Sequence, residues 1–138
     1  MSYRSSLGAF GALLLLLFLG TASAVHAQEA ARRGALREAF ANGDARAVLA
    51  PSAERVAVDL PGGSSKYSRS QAVYVLQQFF DTRPPRRFAW RRTRSSGRGR
   101  FLTGRYWPEG EAQPMRVHLR LAKAEGRWAV QVVRIRRP

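Results

Sequence analysis

A strict two-residue alternation near the end of the chain constrains the fold more than any other feature. Four apolar side chains alternate with three basic or titratable ones: Met115, Val117, Leu119 and Leu121 with Arg116, His118 and Arg120. Because successive side chains of a β-strand point to opposite faces, residues 115–121 are predicted to form a strand with one buried face. Such a strand needs neighbouring strands and a second layer of structure to cover its apolar face.

Other segments supply the rest of a sheet. Residues 54–60, 87–93, 100–107 and 127–136 also read as strands, and glycine-rich or proline-rich turns separate them. Gly104 lies inside one of these strands, which predicts a bulge or a close approach of another group to the backbone. The alternation slips near Val132 and Val133, where a second bulge is expected.

Three helices are predicted to complete the fold. Residues 29–42 and 44–49 form two of them, and the third follows Ser68, which with Gln71 fits a capping box. This third helix has an apolar face at helical spacing: Ala72, Val75, Leu76, Phe79 and Phe80. The order ααβαββββ predicts an α+β domain in which a curved antiparallel sheet wraps around a long helix.

The amino terminus has the three parts of a secretory signal peptide. Arg4 precedes an apolar run over residues 7–19, and small residues follow it. Cleavage is predicted between Ala27 and Gln28, leaving residues 28–138 as a single domain in the periplasm or outside the cell. An uncleaved anchor is the alternative, but a spanning helix needs about 20 apolar residues and this run is shorter. No membrane span is expected after cleavage.

Composition limits the chemistry. The chain has no cysteine, which excludes disulfides, a lipidated cysteine, cysteine-bound zinc and thiol catalysis. Its net charge is +15, and Arg4 is the one charged residue of the leader, so the mature part would carry +14. Nearly all of this charge is arginine, which pairs bidentately with phosphate and carboxylate. The alternative is that arginine replaces lysine throughout because of genomic base composition.

Several core and turn residues together resemble a known fold. They are Phe40, Asn42, Gly43, Asp44, residues 56–60, Tyr67, Ser68, Gln71, Ala72, Val75, Leu76, Phe79, Phe80, Gly104, residues 128–130, Arg134 and Ile135. In this order they resemble the nuclear transport factor 2-like (cystatin-like) cone fold, and more closely a family of small exported bacterial domains of unknown function. The resemblance covers residues 29–137. It implies the fold but no activity, because the fold class includes isomerases, dehydratases, transport factors and protein-association domains.

No catalytic residue is assigned. The resemblance to isomerases of the fold class would require an acid or base inside the cone, for which Asp59, Tyr67 and His118 are the candidates. By alternation Asp59 and His118 lie opposite the apolar face, so no buried acid–base pair is predicted. Because the mature part has one histidine and scattered carboxylates, neither a metal site nor a cofactor is expected.

A basic sheet face is the first functional hypothesis. The outward positions of the later strands collect Arg87, Arg91, Arg116, His118, Arg120, Arg127 and Arg134. If the strands are neighbours, these residues merge into a surface for an anionic polymer or head group of the cell envelope, to which Tyr106 adds an aromatic ring. Export argues against cytoplasmic nucleic acid as the partner.

Two other hypotheses remain open. Phe79, Phe80, Phe88, Trp90 and Trp128 would line a small-molecule pocket at the mouth of the cone, as in an isomerase or dehydratase, or they simply fill the core. A protein-association module, dimeric through its sheet, needs no special residues. Among these alternatives we expect an exported, non-enzymatic binding or association domain.

Overall fold

A computed structural model describes residues 7–138 of the chain, with side chains from Ser23 onward. The chain divides into two units, Met1–Gly34 and Ala35–Pro138. The described part of the first unit is helical and belongs to α1 (Leu7–Asn42), which continues through the predicted cleavage position. Residues 1–6 of the predicted signal peptide lie outside the described residues, as do the side chains of residues 7–22. Removal of the signal peptide therefore stays a prediction.

The second unit packs helices against one sheet. After α1 come α2 (Ala45–Val48), β1 (Ser52–Leu60), β2 (Gly63–Ser68), α3 (Arg69–Thr82), β3 (Pro85–Ser96), β4 (Gly99–Pro108), β5 (Met115–Ala124) and β6 (Arg127–Arg136). The six strands lie in the order β2-β1-β6-β5-β4-β3. The predicted α+β class is thus confirmed. The sheet is mixed rather than wholly antiparallel, because β1 and β6 run parallel.

The sequence prediction missed β2. No strand is predicted between residue 60 and the third helix, but only Pro61 and Gly62 connect β1 with β2, and Gly63 already pairs with Leu60. This strand consists mainly of small polar residues with no apolar alternation, and most of it is exposed. Its pairing with β1 therefore decides its conformation, which local periodicity could not reveal.

Local signals did place α3 correctly. The side chain of Ser68 accepts a hydrogen bond from the backbone N–H of Gln71, and the Gln71 side chain accepts one from the N–H of Ser68. This reciprocal pair confirms the predicted capping box. The helix buries Leu76, Phe79 and Phe80, so its apolar face forms part of the core.

Aromatic rings occupy the centre of the core on the inner face of the sheet. Phe40 stacks on Phe88 with ring centroids 4.7 Å apart, and Phe80 meets Phe40 edge to face at 5.9 Å. Gly104 lies beneath this cluster, where an added Cβ would come within 2.7 Å of Phe88 Cζ. The predicted close approach at Gly104 is confirmed, and β3 also has a bulge opposite it.

The sequence prediction placed Tyr106 wrongly. Its ring was expected on the basic outer face, but it is fully buried in the core, and its hydroxyl donates a hydrogen bond to the carbonyl of Arg83. Tyr106 shares the inward side of β4 with Leu102 and Gly104, so the outward aromatic positions of that strand belong to Phe101 and Trp107.

The second bulge lies between β5 and β6. The pairing shifts between Arg120 and Leu121, so Gln131 has no partner on β5. Val132 pairs with the outward Arg120, and Val133 pairs with the inward Leu119. This confirms the slip predicted near Val132. In the described part of the chain, no helix combines the length and the apolar character needed to cross a membrane.

Candidate anion-binding face

The side of the sheet opposite the helices carries the candidate site, and we call it the outer face. The strand register arranges its side chains in rows that cross the strands. One row runs from Thr103 on β4 through His118 and Arg134 to Asp59 on β1. A second row contains Arg105, Arg116 and Arg136.

A shallow groove lies in the middle of this face. It has a volume of about 260 Å³, and three of the residues predicted from sequence line it: His118, Arg120 and Arg134. Phe101 and Thr103 form another part of its wall. The guanidinium of Arg120 lies 5.8 Å from the centre of the Phe101 ring, which places a cation beside an aromatic surface.

The row of Arg105, Arg116 and Arg136 borders the groove. All three are exposed, and they occupy successive strands, so their Cα atoms span about 10 Å across the sheet. Arg116 is among the residues predicted from sequence, whereas Arg105 and Arg136 are not. The outward alternation of β4 and β6 would have found both, because each lies two residues from another outward position.

Asp59 holds two of the arginines in place. One carboxylate oxygen lies 3.0 Å from Arg134 Nε, and the carboxylate also accepts from Arg136 Nη2 at 2.7 Å. The hydroxyl of Ser64 on β2 donates to the same carboxylate. The pKa of Asp59 is lowered chiefly by the Ser64 hydrogen bond and then by Arg136 and Arg134, while partial burial opposes the change. Asp59 is therefore ionised at neutral pH and orients the two guanidinium groups.

His118 lies among cations. Partial removal from water lowers its pKa, and the charges of Arg134 and Arg116 lower it further. The imidazole is therefore neutral at pH 7. It offers a hydrogen-bonding group to a ligand in the groove without adding a charge.

The remaining basic residues of the prediction lie apart from the groove. Arg87 and Arg91 on the edge strand β3 both approach the Trp107 ring, at 4.7 Å and 5.9 Å from its centre. Arg127 begins β6 and pairs with Ala124, so it lies at the other end of the β5–β6 pair from Arg116 and Arg136. The structure thus brings together Arg116, His118, Arg120 and Arg134, leaves Arg87 and Arg91 at one edge, and separates Arg127.

The residues of the predicted pocket mostly contact one another. Phe79, Phe80 and Phe88 are buried, and Trp90 meets Phe88 edge to face at 4.7 Å. Trp128 lies elsewhere, with the guanidinium of Arg100 at 4.4 Å and the ammonium of Lys123 at 5.6 Å from its ring. A ligand pocket lined by the five together stays a prediction.

Among the described residues, the side chains that could take part in acid–base or metal chemistry are dispersed. Within the part of the chain with described side chains, no group of three His, Cys, Asp or Glu residues could hold a metal ion. Asp59 and His118 both belong to the outer face, and Arg134 stands between them in the same row. The third candidate, Tyr67, is half-buried on β2, away from that row. The three therefore do not converge on one site.

Comparisons with known proteins agree with this fold. The family model for a domain of unknown function, DUF4783, matches residues 34–136. A DUF4783 family protein from Bacteroides ovatus is 18% identical with a TM-score of 0.70, over 75% of this chain and 93% of that one. Another from Bacteroides uniformis is 15% identical with a TM-score of 0.70, over 76% and 95%.

A more distant similarity widens the fold class. A domain of unknown function with a cystatin-like fold from Nostoc punctiforme is 15% identical with a TM-score of 0.61, over 82% of this chain and 76% of that one. No curated protein matches the sequence. The similarity to the cystatin-like structure confirms the predicted fold, and the DUF4783 match confirms the predicted family resemblance.

Proposed function

The chain belongs to the DUF4783 family, and we propose that it is an exported, non-enzymatic domain that binds anionic polymers through its outer face. One observation carries this proposal: the fold gathers His118, Arg120 and Arg134 around a single groove. Arg105, Arg116 and Arg136 extend the positive charge beside it. Guanidinium groups recognise phosphate and carboxylate in bidentate geometry, so the ligand carries such groups.

The spacing of the charges favours a polymer over a single small anion. Each arginine of the row Arg105, Arg116 and Arg136 lies on a different strand, and the backbones of neighbouring strands are about 4.8 Å apart. Like charges on neighbouring strands repel one another, and a ligand with repeated negative groups relieves the repulsion at several points at once. Among these cross-strand rows, Asp59 is the one acidic side chain described, and it already pairs with Arg134 and Arg136.

The predicted signal peptide supports a partner outside the cytoplasm. A basic face of this kind also attracts nucleic acid electrostatically, since phosphate contacts need no sequence information. Export of residues 28–138 would separate the domain from cytoplasmic nucleic acid and leave the anionic polymers of the envelope as its ligands.

The positive charge of the outer face argues against a homodimer formed through that face. A twofold contact between two outer faces would place Arg116 and Arg120 of one copy near their equivalents in the other. Because like charges across an interface oppose association, a homodimer would use another surface. Dimerisation itself stays a prediction.

Heparin chromatography with matched variants tests the proposal. The double variant Arg116→Gln, Arg120→Gln removes two charges from the outer face, and Arg37→Gln, Arg46→Gln removes two exposed charges from the helices. We expect the first to elute at clearly lower salt and the second close to the unaltered protein. The slope of log K against log salt should fall by about two for the first variant, because each arginine that pairs with an anionic group of the polymer contributes roughly one.

Equal shifts for the two variants would contradict the proposal, because total charge alone would then explain retention. Circular dichroism and a urea midpoint for each variant would check that the fold is unchanged. Competition separates a polymer site from a simple anion site. Polyphosphate should displace the protein from heparin at a far lower phosphate concentration than inorganic phosphate does.

A further inference from the structure

A second surface lies between α3 and the β1–β2 hairpin, and we call it the side groove. At one end, Arg83, Arg136 and Arg137 line a cavity of about 510 Å³ together with Pro61 and Gly62. These arginines come from the end of α3, the end of β6 and the residue after it. Only Arg136 also belongs to the outer face.

The groove continues along α3, where its lining includes more apolar side chains. A second cavity of about 360 Å³ shares Arg83, Pro61 and Gly62 with the first. Leu60, Phe79 and Val75 form the apolar part of its wall, beside the polar Gln78 and Thr82. Leu60 and Phe79 are largely buried, so their exposed edges form the floor of the recess.

A third cavity of about 370 Å³ extends the recess to the beginning of α3. It shares Tyr67 and Val75 with the second cavity and ends at Tyr74. Tyr74 is 65% exposed, the largest exposed fraction among the large hydrophobic side chains described. The three cavities follow α3 from Ser70 to Arg83, a distance of about 20 Å at 1.5 Å per residue.

The basic end is partly neutralised by the protein itself. Glu111 lies 3.2 Å from Arg83 Nη1, and Asp59 lies 2.7 Å from Arg136 Nη2. Asp59 also pairs with Arg134 at 3.0 Å, so the two carboxylates only partly offset the charge of the three guanidinium groups. An anionic head group complements the positive charge that is left at this end.

From this polarity we infer that the side groove binds an amphiphile with one anionic head group and one apolar chain, such as a fatty acid. The head group lies against Arg83 and Arg137, and the chain follows α3 across Phe79 and Val75 to Tyr74. Contact with the apolar part of the wall removes one side of the chain from water, which supplies the driving force, while the arginines orient the ligand. This inference does not rest on the proposed polymer site, because the two surfaces share only Arg136.

Calorimetric titration with dodecanoate, below its critical micelle concentration, tests the inference. We expect saturable binding with one site per chain. Decanoate and octanoate should bind progressively more weakly, by about four-fold for each methylene removed, which corresponds to about 0.8 kcal/mol. Dodecyl maltoside, which has the same chain and a neutral head group, should bind at least ten-fold more weakly than dodecanoate.

Variants at the two ends of the side groove locate the site. Arg137→Gln should weaken dodecanoate binding about ten-fold, and Tyr74→Ser should weaken it about three-fold; both residues are exposed, so the fold should tolerate these changes. Arg98→Gln removes an equal charge from the β3–β4 hairpin and should leave the affinity unchanged. The double variant Arg116→Gln, Arg120→Gln should also bind dodecanoate normally, even if it no longer binds heparin.

Two results would overturn the inference. The first is no saturable binding of dodecanoate to the unaltered protein, and the second is an equal decrease of affinity in Arg137→Gln and Arg98→Gln. In the first case, an apolar pentapeptide with a free carboxyl terminus would be tested next, and it could bind tightly where dodecanoate does not. That result would assign the side groove to a peptide that adds to the edge strand β2.

Discussion

Substitution of Gly104 by alanine tests whether the aromatic cluster is packed core or the wall of an open pocket. The added Cβ would lie 2.7 Å from Phe88 Cζ, 3.0 Å from the Ala89 carbonyl oxygen and 3.0 Å from Trp90 Cε3. The carbonyl belongs to the paired strand β3 and cannot rotate away. Phe88 stacks on Phe40 and meets Trp90 edge to face, so both rings are already in contact with other aromatic rings. In a packed core the methyl group therefore forces the strands apart.

The expected cost follows from two opposing effects. Overpacking a filled core costs about 1–3 kcal/mol of unfolding free energy. Replacing a strand glycine with alanine offsets roughly 0.5–1 kcal/mol of this, because alanine has less conformational freedom in the unfolded chain. The net decrease in unfolding free energy for Gly104→Ala is then about 1.5 kcal/mol. With a typical urea dependence, this lowers the midpoint of unfolding by about 1 M.

Urea unfolding followed by tryptophan fluorescence and circular dichroism measures this change. Gly62→Ala is the matched control, because no atom lies within 4 Å of its added Cβ and its backbone is not in the left-handed region. If Gly104→Ala unfolds at the same urea concentration as Gly62→Ala, the rings have room to move. The packed-core interpretation would then be refuted, and the pocket hypothesis for Phe88 and Trp90 would gain support.

Two further predictions concern the outer face. Because the folded-state pKa of His118 is below that of the unfolded chain, the unfolded state binds more protons and stability falls as the pH drops through 6.5. His118→Gln should therefore make the urea midpoint depend less on pH below 6.5, and an unchanged dependence would contradict this. The pKa of Asp59 is lower in the folded protein than the value of 3.8 in the unfolded chain. The ionised carboxylate therefore stabilises the fold above pH 3.8, and this stabilisation is lost as the pH falls through the folded-state pKa. At pH 7, Asp59→Asn should lower the urea midpoint yet delay elution from heparin, since it frees Arg134 and Arg136; earlier elution would count against the proposed face.

The two candidate surfaces depend on different parts of the fold. The outer face needs only that β4, β5 and β6 be neighbours in the observed register, since its arginines already alternate with core residues. The side groove needs β2, the end of α3 and the end of β6 to meet. Its residues are far apart in sequence, and no local pattern links Arg83 with Arg137.

Short-range patterns in the sequence determined much of this protein. The capping box at Ser68, the apolar face of α3 and the alternation of β5 each follow from interactions within a few residues, so each could be predicted. The positive charge and the absence of cysteine also follow directly from composition. These features were enough to predict the α+β class and four residues in and around the groove of the outer face.

Only the tertiary structure decided the rest. The strand β2 exists because its polar backbone pairs with β1, and the inward position of Tyr106 depends on the face that β4 presents to α3. Asp59 looked like one exposed acid in the sequence, and it became the partner of two arginines because β1 lies parallel to β6. Contacts between distant segments depend on how the strands are ordered across the sheet. The alternation within each strand carries no information on that order, which is why the charges could be predicted but their arrangement could not.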